Sequence, residues 1–300
     1  MRNMLFILCL ANILFAQVNV VTSIPDLADI TRNIGGEAVS VQSLARGTED
    51  VHVVRARSSF IPAINRAHLV ISLGLGAEDR WFVNIVNASR NNGVKRGAPG
   101  WVEAHEGMDI LEKPDPDQLT HAGNHIHGNP HVNSGPQSGR IMARNIYDAL
   151  CRVDPQNTDY YTANYKRYIA LLVQMETELL EKGRELEGVA VITYHADMSY
   201  FFDYYGMELI GTIEIIPGVA PNSRHLAYIT QRGIDENAQL VLFHQAQNPR
   251  LPENIAQRLG VPAVRFANMV KSREEVQTFI ELQHYNLDII LKALRRAEGQ

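Results

Sequence analysis

At 300 residues the chain is long enough for two domains of ordinary size, each burying its own core. Its 45% hydrophobic and 20% charged residues are those of a soluble globular protein. A formal net charge of −5 supplies neither the basic face of a nucleic-acid binder nor the polybasic patch of a membrane-surface protein.

The first sixteen residues form a separate unit. Arg2 gives a positive start, and Met4 to Leu10 with Ile13, Leu14 and Phe15 make an apolar core of secretory-signal length, with Ala16 small enough for cleavage before Gln17. Cys9 lies inside the apolar run without the small neighbours of a lipid-attachment site, so export and cleavage are expected. The exported chain then keeps only Cys151, which excludes an internal disulfide. No later stretch is long and apolar enough to span a bilayer.

Beyond the signal, strand and helix alternate. Val18–Thr22 reads as a strand; Ser23, Pro25 and Asp26 then supply a capping hydroxyl, an early proline and a first-turn acid for a helix that Gly35-Gly36 ends. Ala38–Leu44 alternates as a second strand, and a polar loop, Gly47 to His52, follows it. A helix over Phe60–Ala67 leads to an apolar strand, Leu69–Leu73. Ser134-Gly135-Pro136 opens a helix running to about Arg152 before Asp154-Pro155 breaks it. The longest periodic segment runs from Asn157 to Leu186, where Tyr161, Tyr165, Tyr168, Leu172, Met175 and Leu179 make one stripe. We read it as a stiff spine between two lobes.

After Gly188 the pattern resumes, with strands at Val189–Thr193, Met207–Thr212, Gln239–Phe243 and Ala263–Phe266. Helices are expected at Asp197–Tyr205, from Ser223, at Pro252–Leu259 and at Glu274–Arg295. The fold class predicted is therefore α/β, two βα lobes with central parallel sheets joined by one long helix. The divisions are a signal at 1–16, a first lobe at 17–155 with a His-rich loop at 121–131, a linking helix at 156–187 and a second lobe at 188–300.

Four of the eleven histidines (His121, His125, His127 and His131) fall in one short Gly-, Asn- and Pro-containing stretch. Neutral imidazole is the commonest metal-ligating side chain and suits zinc, copper, iron and nickel. Placement says more than abundance. His195 follows one second-lobe strand and His244 another, at the carboxyl ends where open parallel sheets bind ligands. His52 sits in a loop after a first-lobe strand, and His131 just before a helix. These four rings, from four loops, are expected to meet in a cleft between the lobes as a tetrahedral zinc-type set. A metallohydrolase is the competing class, since three of these rings plus water make a catalytic zinc site. The chain has neither a His-Glu-x-x-His helix nor a Gly-x-Ser-x-Gly elbow. A two-lobed binder of haem or a siderophore is a third reading, and it would not require converging histidines.

The sequence resembles the solute-binding proteins of zinc and manganese ABC transporters. The resemblance is carried by Gly47-Thr48-Glu49-Asp50-Val51-His52, Gly128-Asn129-Pro130-His131-Val132 and Thr193-Tyr194-His195. It extends to Leu73–Trp81, Pro217–Leu226 and Tyr285-Asn286, in order across nearly all of the exported chain. It implies a metal held in the inter-lobe cleft by His52, His131 and His195, with a fourth position that relatives fill by carboxylate or water. Here His244 is expected to take it, an all-nitrogen set that favours zinc over manganese. The resemblance further implies a periplasmic, non-enzymatic monomer that delivers its ion to a membrane permease. His121, His125 and His127 are expected to form an accessory loop that captures ions. Asp50 or Asp197 is expected to orient a ligand ring. Val51 and Asn133 depart from the usual proline and aromatic at their positions.

Overall fold

The computed structural model describes residues 17–113, 125–216, 218–297 and 299. The expected signal at 1–16, and His121 of the expected accessory loop, lie outside the described residues.

Two four-stranded parallel sheets organise the chain. In the first, β1 (Val18–Thr22), β2 (Val39–Ser43), β3 (Leu69–Ser72) and β4 (Trp101–Glu103) stand in the order β2-β1-β3-β4. In the second, β5 (Ala190–Thr193), β6 (Glu208–Thr212), β7 (Leu240–His244) and β8 (Ala263–Phe266) repeat it as β6-β5-β7-β8. Every pairing is parallel. Strands buried on both faces run apolar up to their carboxyl ends: β3 and β5 have all four residues buried, and β7 all five, with Ser72, Thr193 and His244 as their last residues. In this order the connections reverse direction between β1 and β3, and again between β5 and β7. Such switch points open a crevice at the carboxyl ends of the strands.

The helix α1 (Pro25–Gly35) has Pro25 and Asp26 in its first turn and ends on Gly36, as expected. Ser23, however, is not its cap. The Ser23 hydroxyl donates instead to the buried Glu78 (2.5 Å), whose Oε1 also accepts from the Leu73 N–H (2.6 Å). A buried carboxylate is the stronger acceptor, and it ties the end of β1 to the end of β3. Sequence reading had no strand at Trp101–Glu103 and no helix at α3 (Asn84–Ala88), which follows a wider turn at Asp79–Val83. Three residues are too few to show a period.

α4 (Ser138–Val153) and α5 (Thr158–Lys182) form a hairpin. At its bend the Asp154 carboxylate accepts from the Tyr161 hydroxyl (2.6 Å) and the Asn157 amide (2.7 Å). α5 is 25 residues, about 37 Å at 1.5 Å per residue. Tyr161, Tyr168, Leu172, Met175 and Leu179 of its stripe are buried, and Tyr165 is half-buried against Tyr147. The helix serves both lobes. Leu172 packs beside Gly139 and Phe279, and Glu176 accepts through its backbone carbonyl from the Tyr204 hydroxyl of α6 (Ser199–Tyr205). α7 (Ser223–Asp235) packs on β6 and α8 (Arg250–Leu259) on β7, and the last helix, α9 (Phe279–Ala297), returns to pack on α1 and α5. One large core therefore runs through both lobes, and a smaller one lies behind β5, β6 and β7.

Candidate metal centre

Each functional side chain is fixed by local chemistry. His52 stands in the loop after β2, where the Asp50 carboxylate accepts its backbone N–H (2.8 Å) and the Val51 carbonyl accepts from the Trp81 indole (2.7 Å). The backbone of Ala77 hydrogen-bonds the His52 ring. Val51, expected to depart from the pattern of the loop, is buried, and its carbonyl is held by that indole. His131 begins a short turn at Val132–Ser134, and its N–H donates to Asn129 Oδ1 (2.9 Å). Asn129, fully buried, uses its amide on the Ala196 carbonyl (2.6 Å) across the cleft. His195 leaves the end of β5, and its carbonyl accepts from the Thr193 hydroxyl (2.9 Å) and the Asp197 N–H (2.8 Å).

His52, His125, His131 and His195 offer ring nitrogens that all lie within 4.8 Å of one another. His131 Nε2 is 3.0 Å from His52 Nε2 and 3.2 Å from His195 Nε2. His125 stands over the three, its ring centroid 5.1–5.5 Å from each of theirs, and its buried Nε2 has no hydrogen-bond partner among the described residues. Nitrogens of a tetrahedral zinc site at about 2.0–2.1 Å from the ion sit roughly 3.3 Å apart, so the spacing suits one cation. Burial holds His52 and His125 down to about 4 and places His131 and His195 well below the usual imidazole range; neighbouring rings push the same way for His125, His131 and His195, and Arg80 does so for His52. The rings are therefore neutral donors near neutral pH.

The structure separates two expectations. His125, expected in an accessory loop, is the fourth ring of the cluster. His244, expected as the fourth ligand, is buried beside it at the end of β7 but is not one of the four. The Ala246 N–H donates to His244 Nδ1 (3.2 Å), which leaves the proton on Nε2, 3.3 Å from Asp197 Oδ2. Nδ1 is thus taken by a hydrogen bond, and Nε2 faces the Asp197 carboxyl. His127 is exposed, near Gly76. Asp50 holds a backbone N–H, and Asp197 faces His244 rather than the ring of His195. The carboxylate nearest the His195 ring is Glu214, with Oε2 3.8 Å from Nδ1 and its carboxyl raised by burial to about 6. Sequence reading missed Glu214 and Asn129. Glu214's place just beyond β6, in the same carboxyl-end position as His195, was the available signal.

Asn133 is buried and donates to Asp26 Oδ1 and to the Asn268 carbonyl (3.1 Å each). A cavity of about 20 Å³ lies beneath the cluster, bounded by His131, His195, His244, Asp197 and Asn268.

The chain is 23% identical over 285 residues to a putative metal-binding protein of Treponema pallidum (strain Nichols), covering 92% of this chain and 87% of the relative. It is also 23% identical over 288 residues to the manganese ABC transporter substrate-binding lipoprotein PsaA of Streptococcus pneumoniae, covering 93% and 90%. Its fold matches an Mn-bound periplasmic metal-binding protein from Candidatus Liberibacter asiaticus with a TM-score of 0.78 at 17% identity, over 93% of this chain and 99% of that one. The model of the family described as Zinc-uptake complex component A periplasmic (ZnuA) matches residues 20–293, and the chain belongs to that family.

Proposed function

We propose that this protein binds one divalent cation, zinc in preference to manganese, and delivers it to the membrane permease of an ABC transporter. The carrying observation is the set of four neutral imidazoles, three from the first half of the chain and His195 from the second, gathered within 4.8 Å. Relatives named for manganese and a family named for zinc leave both ions in play, and the donor set supports zinc. Nitrogen donors suit zinc, whereas manganese prefers carboxylate, carbonyl and water oxygens. His52, His125, His131 and His195 are the proposed ligands.

The act is reversible coordination of cargo, without turnover. Four protein donors fill a tetrahedron and leave no position for the water that a hydrolytic zinc site keeps open. Glu214 supports the His195 ring, and Ala77 the His52 ring, as outer partners of metal-bound imidazoles commonly do. A cleaved signal and a periplasmic location accord with the family, and we propose that the protein works there as a monomer.

Competition titration of metal-free protein with zinc and with manganese, against a chelator of known affinity, tests this. Zinc is expected to bind at one site and far more tightly than manganese. Tighter binding of manganese, or zinc affinity unchanged in His195→Ala, overturns it.

A further inference from the structure

On the flank of the molecule, away from the histidines, a pocket of about 550 Å³ lies between the exposed side of α1 and the edge strand β2. It reaches across the seam to the loop after β8, and its size falls in the range of roughly 300–1,000 Å³ typical of small-molecule sites. Arg32, Arg46 and Lys271 line it, and no acidic side chain does. In a chain of net charge −5 this is a local reversal of sign.

The three cations are not spent on one another's neighbours. Arg32 donates to the Val41 carbonyl (3.1 Å). Asp29, whose buried carboxyl accepts from the Phe279 N–H (2.8 Å), is close enough to Arg32 and Lys271 to interact with both charges without forming an ion pair to either. The side chains of Arg46 and Lys271 have no hydrogen-bond or ion-pair partner among the described residues. Their mounts are nonetheless fixed. The Arg46 N–H donates to Glu49 Oε2 (2.7 Å), and Lys271, left-handed at φ 63°, donates its own N–H to the Val276 carbonyl (2.7 Å). Gly47, next to Arg46, lies so close to the second lobe that a Cβ there would stand 2.2 Å from the Val270 carbonyl oxygen. The backbone mounts of two cations from different lobes are thus held together before any ligand arrives, although both side chains are exposed and must still be ordered by it. Gln42 and Thr48 add uncharged donors, over an apolar floor of Pro25 and Ala28.

We propose that this pocket binds a small multivalent oxyanion of phosphate or carboxylate chemistry. Arg46 of the first lobe and Lys271 of the second hold it, with the Arg32 guanidinium alongside. Guanidinium matches paired oxyanion oxygens, and ammonium adds a compact point charge. A ligand seated here bridges the seam, so it favours the docked arrangement of the lobes and by linkage can couple to the cation site. A free anion and a phospholipid headgroup present the same chemistry.

The test uses the metal-free full chain, because zinc would itself bind the probe. Calorimetric titration with inorganic pyrophosphate at low ionic strength is expected to show one site. Affinity should fall at least about tenfold, or about 1.4 kcal/mol, in Arg46→Gln and in Lys271→Gln, and vanish in the double variant. Lys166→Gln, on α5, should leave it unchanged. Both pocket variants should keep the parent's melting temperature and zinc affinity, which excludes misfolding. His131→Ala should retain anion binding, so failure of the metal reading is distinguishable from failure of this one. Co-sedimentation with vesicles of phosphatidylcholine, with and without phosphatidylglycerol, separates the two sources. Capture only by the anionic vesicles, lost in the double variant, identifies a headgroup. Absence of both pyrophosphate heat and vesicle capture, or binding indifferent to both substitutions, overturns the proposal.

Discussion

Asp26, in the first turn of α1, accepts a hydrogen bond from the backbone N–H of Val270, 244 residues later and 3.1 Å away. Its other oxygen accepts from Asn133, two residues past His131. One carboxyl group therefore links the first lobe, a loop of the cation site and the second lobe. Burial raises it to about 7. The folded chain then holds this proton below pH 7, whereas the unfolded chain takes it up only near the ordinary value of about 3.9. Between those limits the native state binds more protons, so this group's contribution to stability falls as pH rises. Asp26→Asn should remove that slope. The stability difference between parent and variant, from denaturant midpoints, should be largest near pH 4 and shrink toward pH 7. A difference that does not change with pH would remove Asp26 from this role.

The histidine cluster titrates with the opposite sign. Folded His52 and His125 are held near 4, and His131 and His195 lower, against about 6.5 in the unfolded chain. Metal-free protein therefore loses stability from these groups as pH falls from 6.5 toward 4. Protons also begin to compete with the cation only in the lower part of that window. Zinc affinity should stay level down to about pH 5 and then drop, rather than decline from 6.5 as free imidazole would. Chelator competition at a series of pH values checks it; a decline starting at 6.5 contradicts the buried, neutral cluster.

His125 and His244 make opposite predictions. His125→Ala removes a ring whose Nε2 has no other partner among the described residues, and zinc affinity should drop by more than the 10–100-fold typical of an outer partner. His244→Ala removes a ring that lies outside the four-ring cluster, its Nδ1 already accepting from Ala246 and its Nε2 facing Asp197, and its cost should be smaller. The reverse ranking would return the fourth position to His244.

Much of the fold was legible because each lobe repeats one simple pattern. β1 and β8 begin and end where alternation and turn residues put them, and the α5 stripe lies buried along its helix. The short β4 and the turn before α3 were invisible because their residues are too few to show a period. Of the rings, His52, His131 and His195 were marked by their positions near strand ends and a helix start. Which of His125 and His244 joins them is a matter of ring orientation. The Ala246 N–H and the Asp197 carboxylate turn His244, and neither interaction leaves a periodic trace in sequence.

Glu214 supplies the carboxylate nearest the His195 ring, at 3.8 Å. Glu214→Gln keeps the size and removes the charge that faces His195 Nδ1. Zinc affinity should fall by roughly 10–100-fold without a fall in the melting temperature of metal-free protein, since burial already disfavours this charge. Equal zinc affinity in the variant would reduce Glu214 to a bystander.

Gly47 tests whether the seam itself sets cation affinity. It lies five residues before His52, and a Cβ there would stand 2.2 Å from the Val270 oxygen and 2.3 Å from the Lys271 carbonyl carbon. Both obstacles are backbone, so a methyl group cannot be absorbed by turning a side chain. The neighbouring ties also cross here: Gln245 donates to the Gly47 carbonyl and Asn268 to the Glu49 carbonyl (3.1 Å each). Gly47→Ala must displace the two lobes or break those bonds. Because His195 alone of the four clustered rings comes from the second half of the chain, a displaced seam moves it against the other three. Stability should fall by about 1–3 kcal/mol, the usual cost of overpacking, and zinc affinity should fall with it although no ligand has changed. A variant that loses stability but keeps zinc affinity would show that the cluster does not depend on the docking of the seam.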